Sequence, residues 1–228
     1  MKLSVVIPVY NEKGTVATIV DRVEGVAGVD KEIIIVDDGS TDGTRDVLKE
    51  IAANRSHVKV ILKEANCGKG ASLREGFRHA TGDYVIVQDA DLEYDPQEYT
   101  KLIEALGDGK TRVVYGSRFS GNYEDMSNLH YWGNKFLTLV TNVLYGVLLT
   151  DMETCYKLLP GSFVRNLKIE SNRFNFEPEI TAKILKSGLK LREVPISYKG
   201  RTHGEGKKIT WKDGLSAVYT LIKFRFVD

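Results

Sequence analysis

Cysteine is scarce in this chain: 228 residues hold two, Cys67 and Cys155. Neither belongs to a Cys-x-x-Cys pair, which argues against a structural zinc. Two isolated cysteines read as the reduced thiols of a cytosolic protein rather than as a disulfide framework. No apolar run reaches the roughly 18 residues that a membrane-spanning helix needs. The N-terminus has neither a long apolar core nor a small-residue cleavage site, so no secretory signal is expected. An excess of one charge is lacking too, since 32 basic and 31 acidic residues leave a net charge of +1. There is no internal repeat, low-complexity tract or linker. A content of 42% hydrophobic and 28% charged residues excludes disorder, collagen and coiled coil. Two nucleotide motifs are also missing. A dinucleotide fold carries Gly-x-Gly-x-x-Gly after its first strand, where this chain reads Pro8-Val9-Tyr10-Asn11-Glu12-Lys13-Gly14. Cys67-Gly68-Lys69-Gly70-Ala71 has neither the spacing nor the hydroxyl of a P-loop. Hydride transfer to NAD and Walker-type ATP hydrolysis are therefore disfavoured.

What is present alternates. Apolar, β-branched runs at Leu3–Val9, Glu32–Val36, Val58–Leu62, Asp83–Val87 and Arg112–Tyr115 predict buried strands. Helical spacing at Thr15–Val23, Lys69–Ala80 and from Pro96 to Leu106 predicts the crossovers, with Thr41 or Asp42 capping another helix. Such a rhythm gives a single α/β domain with a Rossmann-like, mostly parallel sheet flanked by helices. After Gly116 the rhythm changes. Ser117–Leu129 predicts a mobile polar loop, Leu129–Thr150 a long helix, and Leu189–Tyr198 an edge or irregular strand because of Pro195. Gly200–Lys208 predicts a flexible basic loop. A last helix then carries Trp211, Leu215, Val218, Tyr219, Ile222 and Phe226 on one face.

The neutral total hides an asymmetry. From Lys186 to Asp228 there are ten basic and four acidic residues, an excess of six positive charges over an acidic remainder. A basic end suggests an anionic partner, such as a phosphate or a membrane surface, or else a solvated face. Trp211, Tyr219, Phe224 and Phe226 beside Lys223 and Arg225 suggest peripheral contact with a bilayer interface. Phe136–Thr150 is too short to span; it contacts a lipid chain or packs in the core. No nucleic-acid-reading motif accompanies the basic segment.

Open α/β sheets bind ligands beyond the carboxyl ends of their strands. Three such ends carry chemistry: Pro8–Glu12, Asp37-Asp38-Gly39-Ser40, and Asp89-Ala90-Asp91 followed by Glu93. At extended two-residue spacing, Asp89, Asp91 and Glu93 point the same way. Converging carboxylates repel, and a hard divalent cation that also takes phosphate oxygens removes the repulsion. The alternative is a helix-capping acidic turn before Pro96. Asp37 is expected to cap a turn. Tyr10 is a ligand contact or a core aromatic, and Lys69 a diphosphate neighbour or a loop lysine. His57, His79, His130 and His203 have no partner spacing and are expected at the surface.

These residues carry a resemblance. Ser4–Glu12, Glu32–Thr44, Asn66–Pro96 and Tyr115–Phe119 resemble, in order, the family 2 glycosyltransferases with the GT-A fold. Phe174–Ile184 and Glu193–Lys208 resemble the branch of dolichyl-phosphate mannose synthases and related polyprenyl-phosphate glycosyltransferases. Arg201, Gly204 and Lys207 keep that branch's spacing, but Gly206 replaces a Ser, and Glu93 stands where many members have Gln. Some members carry transmembrane helices after this domain; none is expected here. The resemblance implies inverting transfer of a hexose, mannose or glucose, from a GDP- or UDP-sugar to polyprenyl or dolichyl phosphate. It implies residues 1–120 as the nucleotide-sugar-binding half and 121–228 as the acceptor half. Pro8, Tyr10, Glu12 and Asp38 would hold the base and ribose. Asp89 and Asp91, with Glu93, would hold Mg²⁺ or Mn²⁺, and Ala90 would line the same segment. Arg118, Arg201 and Lys207 would meet phosphates. Asp91, Arg118 and Arg201 are the implied catalytic residues, with both arginines open to a plainer reading as solvated loop residues. Glu177 and Asp151 are candidate bases for a hydroxyl acceptor; an anionic phosphate acceptor needs none. The implied location is cytoplasmic, peripheral at the membrane face. The alternatives are a glycan or small-molecule acceptor, or a non-catalytic nucleotide-sugar-binding subunit.

Overall fold

The β-branched runs form the middle of the sheet. Lys2–Val9 (β1) pairs in parallel with Asp30–Asp37 (β2) and Tyr84–Val87 (β4), and β2 pairs with Val58–Leu62 (β3). Leu3, Val5, Val6, Ile7, Ile33, Ile34, Ile35 and Val36 are all buried, as expected for strands covered on both faces. The computed structural model describes residues 1–200 and 211–227, and from residues 211–213 the backbone alone. Among these, the main sheet runs β3-β2-β1-β4-β7-β5-β8, where β5 is Val113–Ser117, β7 Lys157–Pro160 and β8 Leu191–Pro195. The expected mostly parallel sheet is present, with one departure. β7 runs antiparallel to both β4 and β5 and separates them.

Helices Val16–Glu24 (α1), Thr44–Asn54 (α2) and Lys69–His79 (α3) make the first crossovers. Asp42, one residue before the Gly43 cap, accepts from the Thr44 amide at 3.0 Å. The helix expected from Pro96 to Leu106 is α4, Tyr99–Glu104, between two 3₁₀ turns at Pro96–Glu98 and Ala105–Asp108.

The second half is more ordered than its sequence suggests. The polar stretch after Gly116 contains a short strand, Tyr123–Glu124 (β6), paired with Tyr198–Lys199 (β9). The strand expected over Leu189–Tyr198 is thus two pieces, β8 and β9, and β8 ends at Pro195. Ser127 caps α5, Asn128–Tyr145, which stops at Gly146 in the left-handed conformation, φ 67°. Gly161–Asn166 forms α6, Phe176–Lys186 α7 and Trp211–Phe226 α8. Leu137, Leu149 and Met152 pack with Ala217 and Leu221 in a second small core between α5 and α8, and the Tyr145 hydroxyl donates to the Leu221 carbonyl at 2.8 Å. The face expected on α8 faces outward: Leu215, Tyr219, Ile222 and Phe226 are exposed, while Phe224 is buried under Lys183. No helix of the described residues is long and apolar enough to cross a membrane.

Candidate functional site

The carboxyl ends of β1, β2 and β4 lie side by side, and hydrogen bonds lock their loops together. Asn11, left-handed at φ 55°, donates from its amide to Ser40 Oγ at 2.9 Å. Its side-chain oxygen accepts from the Thr41 amide at 2.9 Å. The Glu12 amide donates to Thr44 Oγ1, and Glu12 Oε2 accepts from the Thr15 hydroxyl at 2.9 Å. Pro8, Tyr10 and Glu12 are half-buried, so Tyr10 stands at the rim rather than in the core.

The two aspartates after β2 divide their work. Asp37 is fully buried and accepts from the Gly39 and Ser40 amides and from Arg45 Nε at 2.8 Å. It caps the turn, as expected. Asp38 accepts from Lys63 Nζ and from the amides of Cys67 and Gly68, the last at 2.7 Å. Its carboxylate thereby anchors the loop that leads into α3. Gly68 is left-handed at φ 97°, and a Cβ there would lie 2.3 Å from the Asn172 carbonyl oxygen. The close approach brings Lys69 over β4, where its Nζ lies 2.8 Å from Asp89 Oδ1.

Asp89, Ala90 and Asp91 follow β4 at the floor of this rim. Ala90 is buried, and both aspartates are half-buried. Gln88 fixes their backbone: its Nε2 donates to the Asp89 carbonyl, and its Oε1 accepts from the hydroxyls of Tyr99 and Tyr156 at 2.6 and 2.7 Å. Glu93 stands differently from what an extended spacing suggests. Strand geometry ends at Val87, and Leu92 is left-handed at φ 65°, a rare state for a branched side chain. The turn breaks the two-residue alternation, and Glu93 Oε2 accepts from the Tyr198 hydroxyl at 2.7 Å. Among the described residues, no three His, Cys, Asp or Glu side chains gather as a metal-holding group. Asp89 and Asp91 are the two carboxylates that follow β4 directly at this floor. Two hard carboxylates suit Mg²⁺ or Mn²⁺ when phosphate oxygens complete the shell.

Arg118 also differs from expectation. It is buried, and Asp151 grips it: Nε donates to Oδ2 at 2.7 Å and Nη2 to Oδ1 at 2.8 Å, while the Arg118 amide donates to Oδ2. Its guanidinium stands over the Tyr198 ring at 5.3 Å. Arg118 is therefore neither a solvated loop residue nor an open phosphate fork, and Asp151 is committed to it rather than poised as a base. Glu193 holds the Thr150 and Asp151 amides in turn; its burial raises its carboxyl above the usual range.

Beneath Lys69 lies a buried charge cluster that the sequence did not signal as one unit. Lys157, fully buried, donates to Glu177 Oε2 at 2.5 Å and to the Thr154 carbonyl. Burial, and next the Glu177 charge, push the Glu153 carboxyl up to about 7. Arg201 and Lys207 lie outside the described residues, as do Gly204, Gly206, His203 and the side chain of Trp211. His57 and His79 sit at the surface beside Glu24 and Glu75.

The sequence model described as glycosyl transferase family 2 matches residues 4–162. A dolichol-phosphate mannosyltransferase of Pyrococcus furiosus is 30% identical over 98% of this chain and 64% of its own length. Glycosyltransferase AglJ of Haloferax volcanii is 30% identical over 86% of this chain and 63% of its own. An undecaprenyl-phosphate 4-deoxy-4-formamido-L-arabinose transferase of Edwardsiella ictaluri is 28% identical over 90% and 62%. The chain thus spans less than two thirds of the length of these curated relatives. Among solved structures, glucosyl-3-phosphoglycerate synthase of Mycobacterium tuberculosis in complex with Mn²⁺, uridine diphosphate and phosphoglyceric acid superposes with a TM-score of 0.73. That match covers 100% of this chain and 79% of the other at 19% identity, and it establishes a shared GT-A fold. The strand order, the acidic pair after β4 and a family match over residues 4–162 agree: this chain belongs to glycosyl transferase family 2.

Proposed function

We propose that this chain transfers a hexose, mannose or glucose, from a GDP- or UDP-sugar to a polyprenyl phosphate, with inversion at the anomeric carbon. One observation carries the reading: Asp89 and Asp91 stand at the carboxyl end of β4, on a floor rimmed by the β1 and β2 loops, within a family 2 chain. Asp89 and Asp91 would hold Mg²⁺ or Mn²⁺, which when bound supplies charge stabilisation for the departing diphosphate. The solved relatives with Mn²⁺ or Mg²⁺ and uridine diphosphate support a divalent ion. Pro8, Tyr10 and Glu12 are assigned to the rim for base and ribose, and Asp38, buried and holding the loop into α3, is assigned to the same subsite from beneath, with residues 1–120 as the donor half and 121–228 as the acceptor half. Lys69 adds a positive charge at the floor, beside Asp89. Arg118 acts here by holding the wall that Tyr198 and Asp151 share. Arg201 and Lys207 are assigned to phosphates on sequence alone.

The acceptor reading draws on the names of the Pyrococcus and Edwardsiella relatives and on the chemistry. A phosphate acceptor is already an anion, so attack on the anomeric carbon needs no strong base. That agrees with Asp151 and Glu177 both being engaged by cations. The exposed apolar face of α5 and α8 supports a peripheral position at a membrane. The test incubates the protein with Mg²⁺ or Mn²⁺, a panel of GDP- and UDP-sugars and a short polyprenyl phosphate, and follows release of nucleoside diphosphate. Release that requires both metal and lipid phosphate, and that Asp91→Ala abolishes, is the expected result. Donor binding without lipid-stimulated release overturns the acceptor, and no binding of any donor overturns the enzyme reading.

A further inference from the structure

Two buried carboxylate oxygens, Glu153 Oε1 and Glu177 Oε1, have no hydrogen bond among the described residues, and the second faces Lys69. Glu177 lies in the first turn of α7 and is 7% exposed. Its Oε2 is held by Lys157 Nζ at 2.5 Å, and that ammonium also stands 4.9 Å over the Tyr115 ring. The carboxylate is pinned from one side. Its Oε1 accepts nothing among the described residues and lies 3.5 Å from Lys69 Nζ. Lys69 itself brackets Asp89, with Nζ 2.8 Å from Oδ1 and 3.0 Å from Oδ2. A single ammonium therefore stands between two carboxylates, hydrogen-bonded to the one at the floor and ion-paired at the longer 3.5 Å with the one beneath.

We propose that Lys69 is a two-position counter-ion. It neutralises Asp89 until a divalent cation binds there, and then moves its hydrogen bond to Oε1 of Glu177. Glu177 is in this account a positioning residue of the cation site. The inference rests on the reading of Asp89 and Asp91 as cation ligands. An ammonium and a divalent cation compete for the same carboxylate lone pairs and repel each other, so one must leave. Lysine suits the move, being a compact point charge on a flexible four-carbon stem. The backbone beneath cannot follow, because Gly68 and Gly70 are pressed against the Asn172 and Ser171 carbonyls. Closing the 3.5 Å separation to an ordinary hydrogen-bond length takes about 0.6 Å, and rotation of the lysine stem must also carry Nζ away from Asp89. A buried carboxylate oxygen left without a donor is costly, and the arriving ammonium supplies one.

The test titrates the full chain with Mn²⁺ alone and reads the free ion by electron paramagnetic resonance. Wild type is compared with Asp91→Asn, Lys69→Gln, Glu177→Gln and the Lys69→Gln/Glu177→Gln pair. Glu177→Gln should weaken Mn²⁺ binding about tenfold when Lys69 is present and less than about twofold when it is not. Equal weakening in both backgrounds would make Glu177 a direct or through-space contributor and overturn the relay, as would no weakening in either. Mn²⁺ binding that Asp91→Asn leaves intact overturns the cation-site reading itself, a different failure. Should Glu177→Gln strand Lys157 and fail to fold, the same comparison is made in a Lys157→Met background. A crystal structure with Mn²⁺ and a nucleoside diphosphate gives a second readout. Lys69 Nζ is expected on Glu177 Oε1, and Lys69 Nζ still on Asp89, or on a phosphate oxygen, overturns the proposal.

Discussion

Arg118 and Asp151 are both buried and hold each other through two hydrogen bonds of 2.7 and 2.8 Å. Removing one leaves the other's charge inside the protein without a partner. Asp151→Ala is therefore expected to cost about 3–5 kcal/mol in urea unfolding. The double replacement Arg118→Met/Asp151→Leu should recover most of that loss, because desolvating the pair offsets much of its attraction. A cost equal for single and double variants would show that packing, not charge, is what the site loses. Glu153 gives the pH dependence. Its carboxyl titrates at about 7 in the fold against 4.5 in the unfolded chain, burial being the first cause. The native state thus holds a proton that the unfolded state releases across that window. Stability should fall as pH rises from about 4.5 to about 7, by on the order of 3 kcal/mol, and then level off. Glu153→Gln should flatten that slope, as read from melting temperatures across the same range.

The tight entry to α3 is where an element's geometry and the site meet. Gly68→Ala places a Cβ 2.3 Å from a backbone oxygen at φ 97°, and neither atom is the end of a flexible side chain. A loss of about 2–3 kcal/mol is expected, from the clash and the left-handed backbone together. Nucleoside diphosphate binding should weaken with it, since Asp38 anchors this loop through the Gly68 amide. Calorimetric titration checks the second part, and unchanged affinity in a destabilised protein would separate the loop from the rim. The two glycines around Lys69 were visible in the sequence, but the contact of Gly68 with residue 172 was not. The same division holds elsewhere. β1, β2 and β4 were legible because continuous β-branched runs need two covered faces. β7 was not, because Lys157-Leu158-Leu159-Pro160 is four residues with a charge at one end and Pro at the other; its pairing is decided by β4 and β5. Asp89 and Asp91 could be read from their place after a strand. The orientation of Glu93 was not legible, because one left-handed residue, Leu92, cancels the alternation on which the spacing argument relied. Arg118 showed its chemical type, while its partner lies 33 residues on, beyond any local pattern.

For the molecule as a whole, the question is what the outer face of α5 and α8 meets. Leu129, Trp132, Phe136, Leu139 and Val143 on α5 are exposed, as are Leu215, Tyr219, Ile222 and Phe226 on α8. The two helices pack on each other through Leu137, Ala217 and Leu221, so both sets belong to one helical layer. An apolar area of this kind, edged by cations, suits a bilayer interface. Charge is the weaker part of the attraction. Lys223 is paired with Glu170 at 2.5 Å, and Arg225 Nε donates to the Leu144 carbonyl at 2.8 Å, so neither cation is wholly available to lipid headgroups. Exposed charges are also screened within about 8 Å at physiological ionic strength. Apolar insertion should therefore dominate, at roughly 25 cal/mol for each Å² removed from water. Two outcomes follow for flotation with vesicles containing anionic lipid. Association should survive 0.5 M salt with about a several-fold loss. It should be abolished by Phe136→Asp combined with Ile222→Asp, which change two exposed side chains and leave the α5–α8 contact in place. Full release by salt alone would assign the contact to charge, and a protein that stays in solution with these vesicles at low salt would remove the membrane from the account of its acceptor.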